Sequence, residues 1–338
     1  MRGSLHRETP RQEETMTEFL DLSQTAQRLC DMDNVLILCH KNPDGDTLGC
    51  GAALYWAFHA LNKQAAVLCN DPIPTQYDYL NIECFEGQFT PAHVVAVDVA
   101  GIQLFGDALQ QYVDQIELCI DHHSSNSGYA DATLLDADAA AASEIMYDLL
   151  GQMGVEITAQ IADCLYTGIA TDTGCFRFAN TTARSHITAA WLMEAGARAS
   201  ELNARLFESK KPQRVEAERL ALNNLEYYFD GRCALIYLTR EDILSSGVAP
   251  SDLEDLTSLP RAIEGVEVGL TLRQQPGGSY KISVRTTDEV DACAIAKRLG
   301  GGGHVRAAGC ELMGNLDNAK AAVLAEVKKE LARCEQKE

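Results

Sequence analysis

The stretch VLILCHKNPDGD, residues Val35–Asp46, indicates the fold of the first half of the chain. It begins with five consecutive apolar residues, which is the length of a strand that is buried on both faces. It then passes through a polar turn containing Gly45 into Thr47–Leu61 (TLGCGAALYWAFHAL), an apolar segment of helical length. A strand that leads through a short turn into a helix is the repeating unit of an α/β sheet.

Three further apolar runs continue this pattern towards the middle of the chain. They lack period-two alternation, as expected of parallel strands covered by helices on both faces, and they are Ala65–Cys69, Val94–Val97 and Ile116–Ile120. Two more segments have helical length and patterning, Ala141–Leu150 and Thr158–Ala170. This alternation predicts an α/β fold whose first domain is built on a parallel sheet with right-handed crossovers.

The second half of the sequence predicts a helical linker followed by a smaller α/β domain. The expected strands are Ala234–Thr239, Val266–Arg273 and Tyr280–Arg285, and the expected helices are Glu241–Ser246, Ala292–Leu299 and Asn318–Cys334. Gln275–Ser279 has the composition of a hairpin turn, and a glycine-rich turn precedes the last helix. We therefore predict four segments, namely a polar leader (1–15), a first domain (16–195), a helical linker (196–230) and a second domain (231–338).

The composition of the chain argues against several classes of protein and partner. The 338 residues carry a formal net charge of −21, with 28 Lys and Arg against 49 Asp and Glu, which disfavours long nucleic acid as a partner. No apolar run reaches the roughly 20 residues that span a bilayer, so we expect no membrane association. The twelve cysteines include no C-x-x-C pair, which favours free thiols in the cytoplasm. The N-terminal segment MRGSLHRETPRQEET lacks an apolar core, so we interpret it as a leader or an expression remnant rather than a secretory signal.

Acidic residues and histidines cluster where the expected elements end. The set comprises His40, Asp44 and Asp46 after the first strand, Asp98 after the third, Asp121, His122 and His123 after the fourth, and Asp172 after the helix Thr158–Ala170. In an open α/β sheet the carboxyl ends of the strands border the ligand crevice, so we expect these side chains to converge. Carboxylates with some imidazoles suit two divalent ions roughly 3.5–4 Å apart. An oxygen-rich donor set favours Mn²⁺ or Mg²⁺ over Zn²⁺.

Each of these residues alone has a simpler interpretation. A single Asp after a strand is commonly a helix cap. Single histidines such as His59, His93 and His186 are more often structural or exposed than metal ligands. A turn with surface histidines is the alternative for the Asp-His-His triplet at 121–123. The coincidence of four such clusters at consecutive element ends favours metal binding.

Five motifs, taken in this order, resemble those of a known family. HKNPDGD (residues 40–46), VDVA (97–100), DHHSSN (121–126) and TDTGCF (171–176) resemble the four signature motifs of the DHH phosphoesterases. GGGGHVRAAG (300–309) resembles the closing motif of the DHH-associated C-terminal domain. In size and motif wording the chain is most similar to the NrnA-like branch, whose members are oligoribonucleases and 3′-phosphoadenosine 5′-phosphate phosphatases.

The resemblance implies that the first domain is catalytic and holds two Mn²⁺ ions, with Mg²⁺ as a substitute. The implied ligands are His40 and Asp44 for one ion, Asp46, His122 and Asp172 for the other, and Asp98 as the bridge. Asp121 would orient a histidine, and His123 would either ligate weakly or hydrogen-bond the scissile phosphate or the leaving group. A water or hydroxide held between the ions would attack phosphorus in line.

The resemblance also implies that the second domain binds substrate. Arg285 and His304 would contact the terminal phosphate or a base, while Gly302 and Gly303 can present backbone amides to an anion. Asn126 would shape the loop beside the substrate. Arg184 is a further candidate for substrate binding, with helix capping or salt bridging as its alternative.

These inferences predict a phosphoesterase that hydrolyses short single-stranded RNA, and also 3′-phosphoadenosine 5′-phosphate, in the cytoplasm. Two alternatives stay open, a phosphodiesterase for cyclic di-AMP or linear diadenylate and a nucleotide-binding sensor with vestigial catalysis. Substrate length, RNA against DNA, the direction of cleavage and a homodimeric state also stay open at this point.

Overall fold

The computed structural model describes residues 17–249, 253, 256–287 and 289–335, and the chain folds into two compact units that divide after Ser209. The predicted leader, 1–15, lies outside the described residues. The division falls inside the predicted linker, 196–230, which is mostly helical and contributes residues to both units. No helix among the described residues has the length and apolar character needed to cross a membrane.

The first unit is built on a six-stranded sheet in which every neighbouring pair is parallel. Its strands are β1 (Glu18–Phe19), β2 (Val35–Leu38), β3 (Ala65–Leu68), β4 (His93–Val97), β5 (Ile116–Asp121) and β6 (Ala132–Leu135), and they lie in the order β1-β6-β5-β4-β2-β3. The prediction of a parallel sheet is confirmed. The short strands β1 and β6 were not expected from the sequence.

Helices alternate with these strands. They are α1 (Leu22–Asp31), α2 (Gly45–Ala60), α3 (Gln110–Val113), α4 (Ala142–Gln152), α5 (Ala159–Asp172), α6 (Ala183–Glu194) and α7 (Ala199–Asn203), followed by one π-helical turn at Ala204–Glu208. Side chains of β2 alternate between the two faces of the sheet. Val35 and Ile37 belong to the main core with α2, α4 and α5, whereas Leu36 and Leu38 belong to a smaller core that includes Phe105. Because both faces of the sheet are covered, every residue of this strand is apolar.

Two glycines let α2 and α5 pack against each other at short range. A Cβ atom on Gly49 would lie 2.5 Å from the carbonyl oxygen of Cys164. A Cβ atom on Gly168 would overlap the side chains of Ser143 and Asp46. The close approach places the acidic N-terminus of α2 beside the C-terminus of α5, where Asp172 lies.

The second unit is a mixed six-stranded sheet with helices on both faces. Its strands are β7 (Glu226–Tyr228), β8 (Cys233–Leu238), β9 (Val268–Gln274), β10 (Tyr280–Thr286), β11 (Gly302–Gly303) and β12 (Ala307–Leu312), in the order β11-β12-β10-β9-β8-β7. Only the β8–β9 pair is parallel among these strands. Its helices are α8 (Pro212–Asn223), α9 (Arg240–Ser246), α10 (Ala292–Arg298) and α11 (Leu316–Glu335). The expected hairpin turn joins β9 to β10, where the Gln275 amide donates to the Ser279 carbonyl at 2.8 Å.

The glycine-rich segment near residue 302 differs from the expected turn. Gly302 and Gly303 form β11 and pair with Gly309 and Ala308 of β12. A Cβ atom on Gly303 would lie 2.6 Å from the Cα atom of Ala308, and Gly303 has φ +139°. Close backbone pairing in this hairpin therefore requires glycine at position 303.

Candidate metal centre

The residues expected to bind metal lie at the point where the strand order of the first sheet reverses. From β2 the chain moves outward to β3 and then returns across β2 to β4, so β2 and β4 are neighbours whose connections run in opposite directions. His40 and Asp44 follow β2, and Asp98 follows β4 directly. The crevice at such a switch point is the usual ligand site of an open α/β sheet.

One group of possible ligands combines His40, Asp44 and Asp98, and its three ligand atoms lie within 4.8 Å of one another. Nε2 of His40 lies 3.5 Å from Oδ1 of Asp44 and 3.9 Å from Oδ2 of Asp98. Oδ1 of Asp44 also accepts from the amides of Asp46 and Thr47, so Asp44 caps α2 as well.

A second group combines Asp46, His122 and Asp172. Nε2 of His122 lies 4.0 Å from Oδ2 of Asp46 and 3.3 Å from Oδ2 of Asp172. The same nitrogen lies 3.5 Å from Oδ1 of Asp98, which therefore stands between the two groups. The six side chains named by the resemblance as ligands thus meet in one place.

Hydrogen bonds to backbone carbonyls set the tautomers of His40 and His122. Nδ1 of His40 donates to the Lys41 carbonyl at 2.9 Å, and Nδ1 of His122 donates to the Ala139 carbonyl at 3.1 Å. Because a carbonyl oxygen can only accept, the proton of each neutral ring lies on Nδ1 and the Nε2 lone pair faces the carboxylates. This is the usual arrangement of a metal-binding histidine.

A hydrogen-bonded cluster lies beside these groups and comprises Asp121, His123 and Asn126. Nδ1 of His123 donates to Oδ1 of Asp121 at 2.8 Å, and Nδ2 of Asn126 donates to Oδ2 at 2.6 Å. These bonds outweigh the effect of burial and lower the pKa of Asp121. The bond to Asp121 also raises the pKa of His123. Asn126, expected to shape the loop beside the substrate, fixes Asp121 in this structure.

The carboxylates of the two groups repel one another. Burial, followed by the charges of Asp46 and Asp44, raises the pKa of Asp98 well above its ordinary value. Burial and the same two neighbours raise the pKa of Asp172 to about 9. Burial also raises the pKa of Asp46. The cluster therefore needs positive charge from another source to be fully ionised at neutral pH.

Two buried polar atoms at the centre of the cluster make no hydrogen bond within the part of the chain that the structure describes. They are Oδ1 of Asp98 and Nε2 of His122. Buried polar atoms in folded proteins are rarely left without a partner. Divalent cations would satisfy both atoms and the repelling carboxylates, so the donor set fits such ions.

A cavity of about 290 Å³ opens onto the first group. Its lining comprises His40, Lys41, Asn42, Asp44, Asp98, Leu104, His123 and Asp172. Lys41 was not singled out from the sequence, although it lies inside the first motif. Its Nζ donates to the Gln103 carbonyl at 2.9 Å, so this ammonium group has a neutral partner next to the cluster.

Two candidates for substrate binding lie at one end of the second sheet. Arg285 is paired in register with Ala307. His304 and Ala307 close a tight turn, in which the His304 amide donates to the Ala307 carbonyl at 2.8 Å. The structure therefore brings Arg285, His304 and the hairpin glycines to the same end of this sheet.

Arg184 lies in a cluster of carboxylates within the first unit. Its guanidinium donates to Asp136 at 2.7 Å and to Asp148 at 2.8 Å, and its Nε lies 3.8 Å from Glu144. This is the salt-bridging alternative that the sequence had left open for Arg184, and it contrasts with the expected contact to substrate.

Two family models match the chain. The model described as "DHH family, N-terminal domain" matches residues 34–169, and the model described as "DHHA1 domain" matches residues 233–332. The first match includes all the residues of the two ligand groups except Asp172, and the second includes Arg285 and His304.

Curated relatives and a solved structure extend this similarity over most of the chain. "Bifunctional oligoribonuclease and PAP phosphatase NrnA" of Thermus thermophilus is 35% identical over 306 residues, covering 88% of this chain and 90% of that protein. "Probable bifunctional oligoribonuclease and PAP phosphatase NrnA" of Streptococcus mutans is 30% identical, covering 82% of this chain and 89% of that protein. The crystal structure of an exopolyphosphatase-related protein from Bacteroides fragilis has the same fold, with a TM-score of 0.82 at 22% identity over 93% of this chain and 97% of that chain.

Proposed function

The chain belongs to the DHH family of phosphoesterases, and on this premise we propose that it hydrolyses short oligoribonucleotides to mononucleotides and 3′-phosphoadenosine 5′-phosphate to AMP. The observation that carries the proposal is the convergence of four carboxylates and two imidazoles at the switch point of the sheet. The names of the two curated relatives support the choice of substrates.

We propose that this centre holds two ions, with Mn²⁺ preferred and Mg²⁺ as a substitute. His40 and Asp44 would hold one ion, and Asp98 would bridge to the other. The second ion would be held by Asp46, His122 and Asp172. Four carboxylates with two imidazoles make an oxygen-rich set, which favours these metals over Zn²⁺. When bound, the ions supply Lewis-acid stabilisation of charge on the phosphate and activate the attacking water.

The remaining residues of the centre bind and orient the substrate. Asp121 holds His123 by its Nδ1 proton, which leaves Nε2 to hydrogen-bond a phosphate oxygen or the leaving group. The higher pKa of His123 favours the protonated ring, so Nε2 can donate in that bond. The ammonium group of Lys41 in the cavity lining provides a second contact for a phosphate.

The second unit supplies further contacts to the nucleotide in this proposal. Arg285 and His304 would bind a terminal phosphate or a base, with the backbone amides of Gly302 and Gly303 nearby in the hairpin. The net charge of −21 would still repel long polyanions, which favours a short substrate over a long one.

We further propose that the protein acts in the cytoplasm, where thiols stay reduced. All twelve cysteines lie within the described residues and all are free. The homodimer that the sequence left open stays a prediction.

A substrate comparison with two histidine variants tests the proposed function. The protein would be given Mn²⁺ and then linear diadenylate, cyclic di-AMP or 3′-phosphoadenosine 5′-phosphate, and product formation would be followed by chromatography. We expect turnover of the linear dinucleotide and of the bisphosphate. His122→Gln should lower both rates by at least about 100-fold, because a ligand is lost. His93→Gln is the matched control, since His93 pairs with Glu117 away from the centre, and it should keep full activity.

Two results would overturn the proposal. Preference for the cyclic dinucleotide would assign the protein to the cyclic-dinucleotide alternative. Tight binding of nucleotide with Mn²⁺ but without turnover would assign it to the sensor alternative.

A further inference from the structure

The segment between β6 and α4, together with the first turn of α4, makes direct hydrogen bonds to two residues of the second ligand group. This segment, Asp136–Ala141, is called the β6–α4 loop below. Its Ala139 carbonyl accepts from Nδ1 of His122 at 3.1 Å. The first two amides of α4, which follow the loop directly, donate to the Asp46 carboxylate at 2.6 and 3.0 Å. The loop therefore sets the position of one imidazole, and the first turn of α4 sets the position of one carboxylate.

The third member of the same group is linked to this loop through an amide side chain. Nδ2 of Asn180 donates to the Ala140 carbonyl at 3.1 Å and to the Asp172 carbonyl at 3.2 Å. All three residues of the second ligand group thus have a hydrogen-bond connection to the loop or to the first turn of α4.

The first ligand group is held differently. Asp44 is fixed by the N-terminus of α2, and Nδ1 of His40 is fixed by the Lys41 carbonyl. Among the described residues, no hydrogen bond joins the β6–α4 loop to His40, Asp44 or Asp98. A displacement of the loop should therefore disturb the second group more than the first.

Arg184 connects the two ends of this loop. Its guanidinium donates to Asp136, the first residue of the loop, at 2.7 Å. It also donates to Asp148 in α4 at 2.8 Å and lies 3.8 Å from Glu144 in the first turn of α4. Glu144 is fully buried, and its Oε2 accepts from the Ala140 amide at 3.3 Å. Arg184 thereby ties the beginning of the loop to the helix in which the loop ends.

We propose that Arg184 is a positioning residue for the second ligand group and acts through the β6–α4 loop. Among the described residues, the hydrogen bonds and ion pairs of Arg184 go to Asp136, Asp148 and Glu144, none of which belongs to that group. This inference rests on the proposed function, because it requires that the group hold an ion. It assigns to Arg184 a role in metal affinity, where the sequence had suggested contact with substrate.

A metal titration of matched arginine variants tests this role. Metal-free protein would be titrated with Mn²⁺, and free Mn²⁺ would be measured by electron paramagnetic resonance. We expect Arg184→Met to weaken the binding of one Mn²⁺ ion by up to about 10-fold, which is the lower end of the loss caused by removing a group that hydrogen-bonds directly to a metal ligand. The affinity for the other ion should stay nearly unchanged. Arg184→Lys should recover part of the affinity, because an ammonium group keeps the charge but cannot contact the carboxylates as a planar fork.

Arg198→Met is the matched control. Arg198 lies in the same unit and makes a comparable ion pair with the buried Asp163, but among the described residues Asp163 has no hydrogen bond to a ligand residue. Its replacement should lower the urea midpoint of the metal-free protein without changing either Mn²⁺ affinity. Asp136→Asn provides a milder change within the loop in case Arg184→Met does not fold, and should weaken the same ion by about five-fold.

The outcomes separate this inference from the proposed function. Unchanged Mn²⁺ affinities in Arg184→Met, or in Asp136→Asn if the former does not fold, would overturn the positioning role. Equal weakening of both ions would also overturn it. Wild-type protein that binds two ions but hydrolyses no phosphate ester would overturn the proposed function alone. Failure of the wild type to bind Mn²⁺ would overturn both.

Discussion

Replacement of Asp98 by Asn should make the metal-free protein more stable and the metal-loaded protein inactive. Asp98 is 3% exposed and lies between the two ligand groups, with Oδ1 lacking a hydrogen bond. Its φ is +58°, in the left-handed region that Asn tolerates better than most residues. Asn is therefore a better test than Ala, which would add backbone strain of about 1–2 kcal/mol.

The size of the effect follows from the distance between the carboxylates. Ligand oxygens of Asp44 and Asp98 lie within 4.8 Å of each other, and at this distance two unit charges repel by about 3.5 kcal/mol at an effective dielectric constant of about 20. His40 lies near both carboxylates and offsets part of this repulsion. We expect Asp98→Asn to raise the free energy of unfolding of the metal-free protein at pH 8 by roughly 1–2 kcal/mol.

The assay combines urea unfolding with hydrolysis. Unfolding would be followed in EDTA and again in Mn²⁺, and hydrolysis of a dinucleotide would be measured in Mn²⁺. The wild type should gain stability from Mn²⁺, because a ligand that binds only the folded state stabilises it. The variant should lose most of this gain, and its hydrolysis should fall by at least about 100-fold.

Asp163→Asn is the control for this prediction. Asp163 is also 3% exposed, but it is paired with Arg198, so its replacement should destabilise the protein in EDTA and in Mn²⁺ alike. A loss of stability of similar size in metal-free Asp98→Asn, together with retained activity in Mn²⁺, would show that Asp98 is neither repelled by its neighbours nor needed for metal binding.

Three other predictions address the charges and the substrate contacts. First, folding raises the pKa of the Asp172 carboxyl from 3.8 to about 9, so between these pH values the folded state keeps a proton that the unfolded chain has lost. The melting temperature of the metal-free protein should therefore fall as the pH rises from about 4 to 9. The gain from Mn²⁺ should then grow with pH, and a flat profile in EDTA would contradict the repulsion. Second, Lys41→Met should raise the KM for a dinucleotide by about 5-fold with little change in kcat, and the slope of log affinity against log salt concentration should fall by about one. An unchanged KM would argue against a phosphate contact. Third, Arg285→Ala and His304→Ala should raise the KM for dinucleotides much more than for a generic phosphodiester, and equal losses on both substrates would show that neither residue selects the nucleotide.

The central strands and the ligand clusters were predictable because their signals are local. The run Val35–Leu38 is apolar at every position since both sheet faces are covered, and polar residues begin where the strand ends. His40 and Asp98 could be expected to meet because parallel strands place their carboxyl ends on one edge. The motif resemblance then supplied their division into two groups.

The parts that the sequence did not predict depend on tertiary contacts. The strands β1 and β6 are short, and the pairing of Glu18 with Ala132 joins residues far apart in the sequence. The β6–α4 loop contains no motif, and its role becomes visible only when His122 and Asp46 are seen to bond to it or to the start of α4. Arg184 could be read as a contact for substrate or for carboxylates, and the fold brings Asp136 to it across 48 positions of sequence.

The structure explains part of the net charge of −21. Four of the acidic residues lie in the two ligand groups and repel one another in the absence of cations. The charge at this place is therefore compatible with a phosphate substrate when metal is bound, whereas the remaining surface charge still opposes long polyanions.

The proposed function is tested most directly by hydrolysis of 5′-labelled oligoribonucleotides of about two to twenty-four nucleotides by the purified protein, with Mn²⁺ and with EDTA. We expect mononucleotide product from the shortest chains at the highest rate, a decline in rate with length, and no product in EDTA. Cleavage that persists in EDTA, or a rate that increases with chain length, would contradict a metal-dependent phosphoesterase for short RNA.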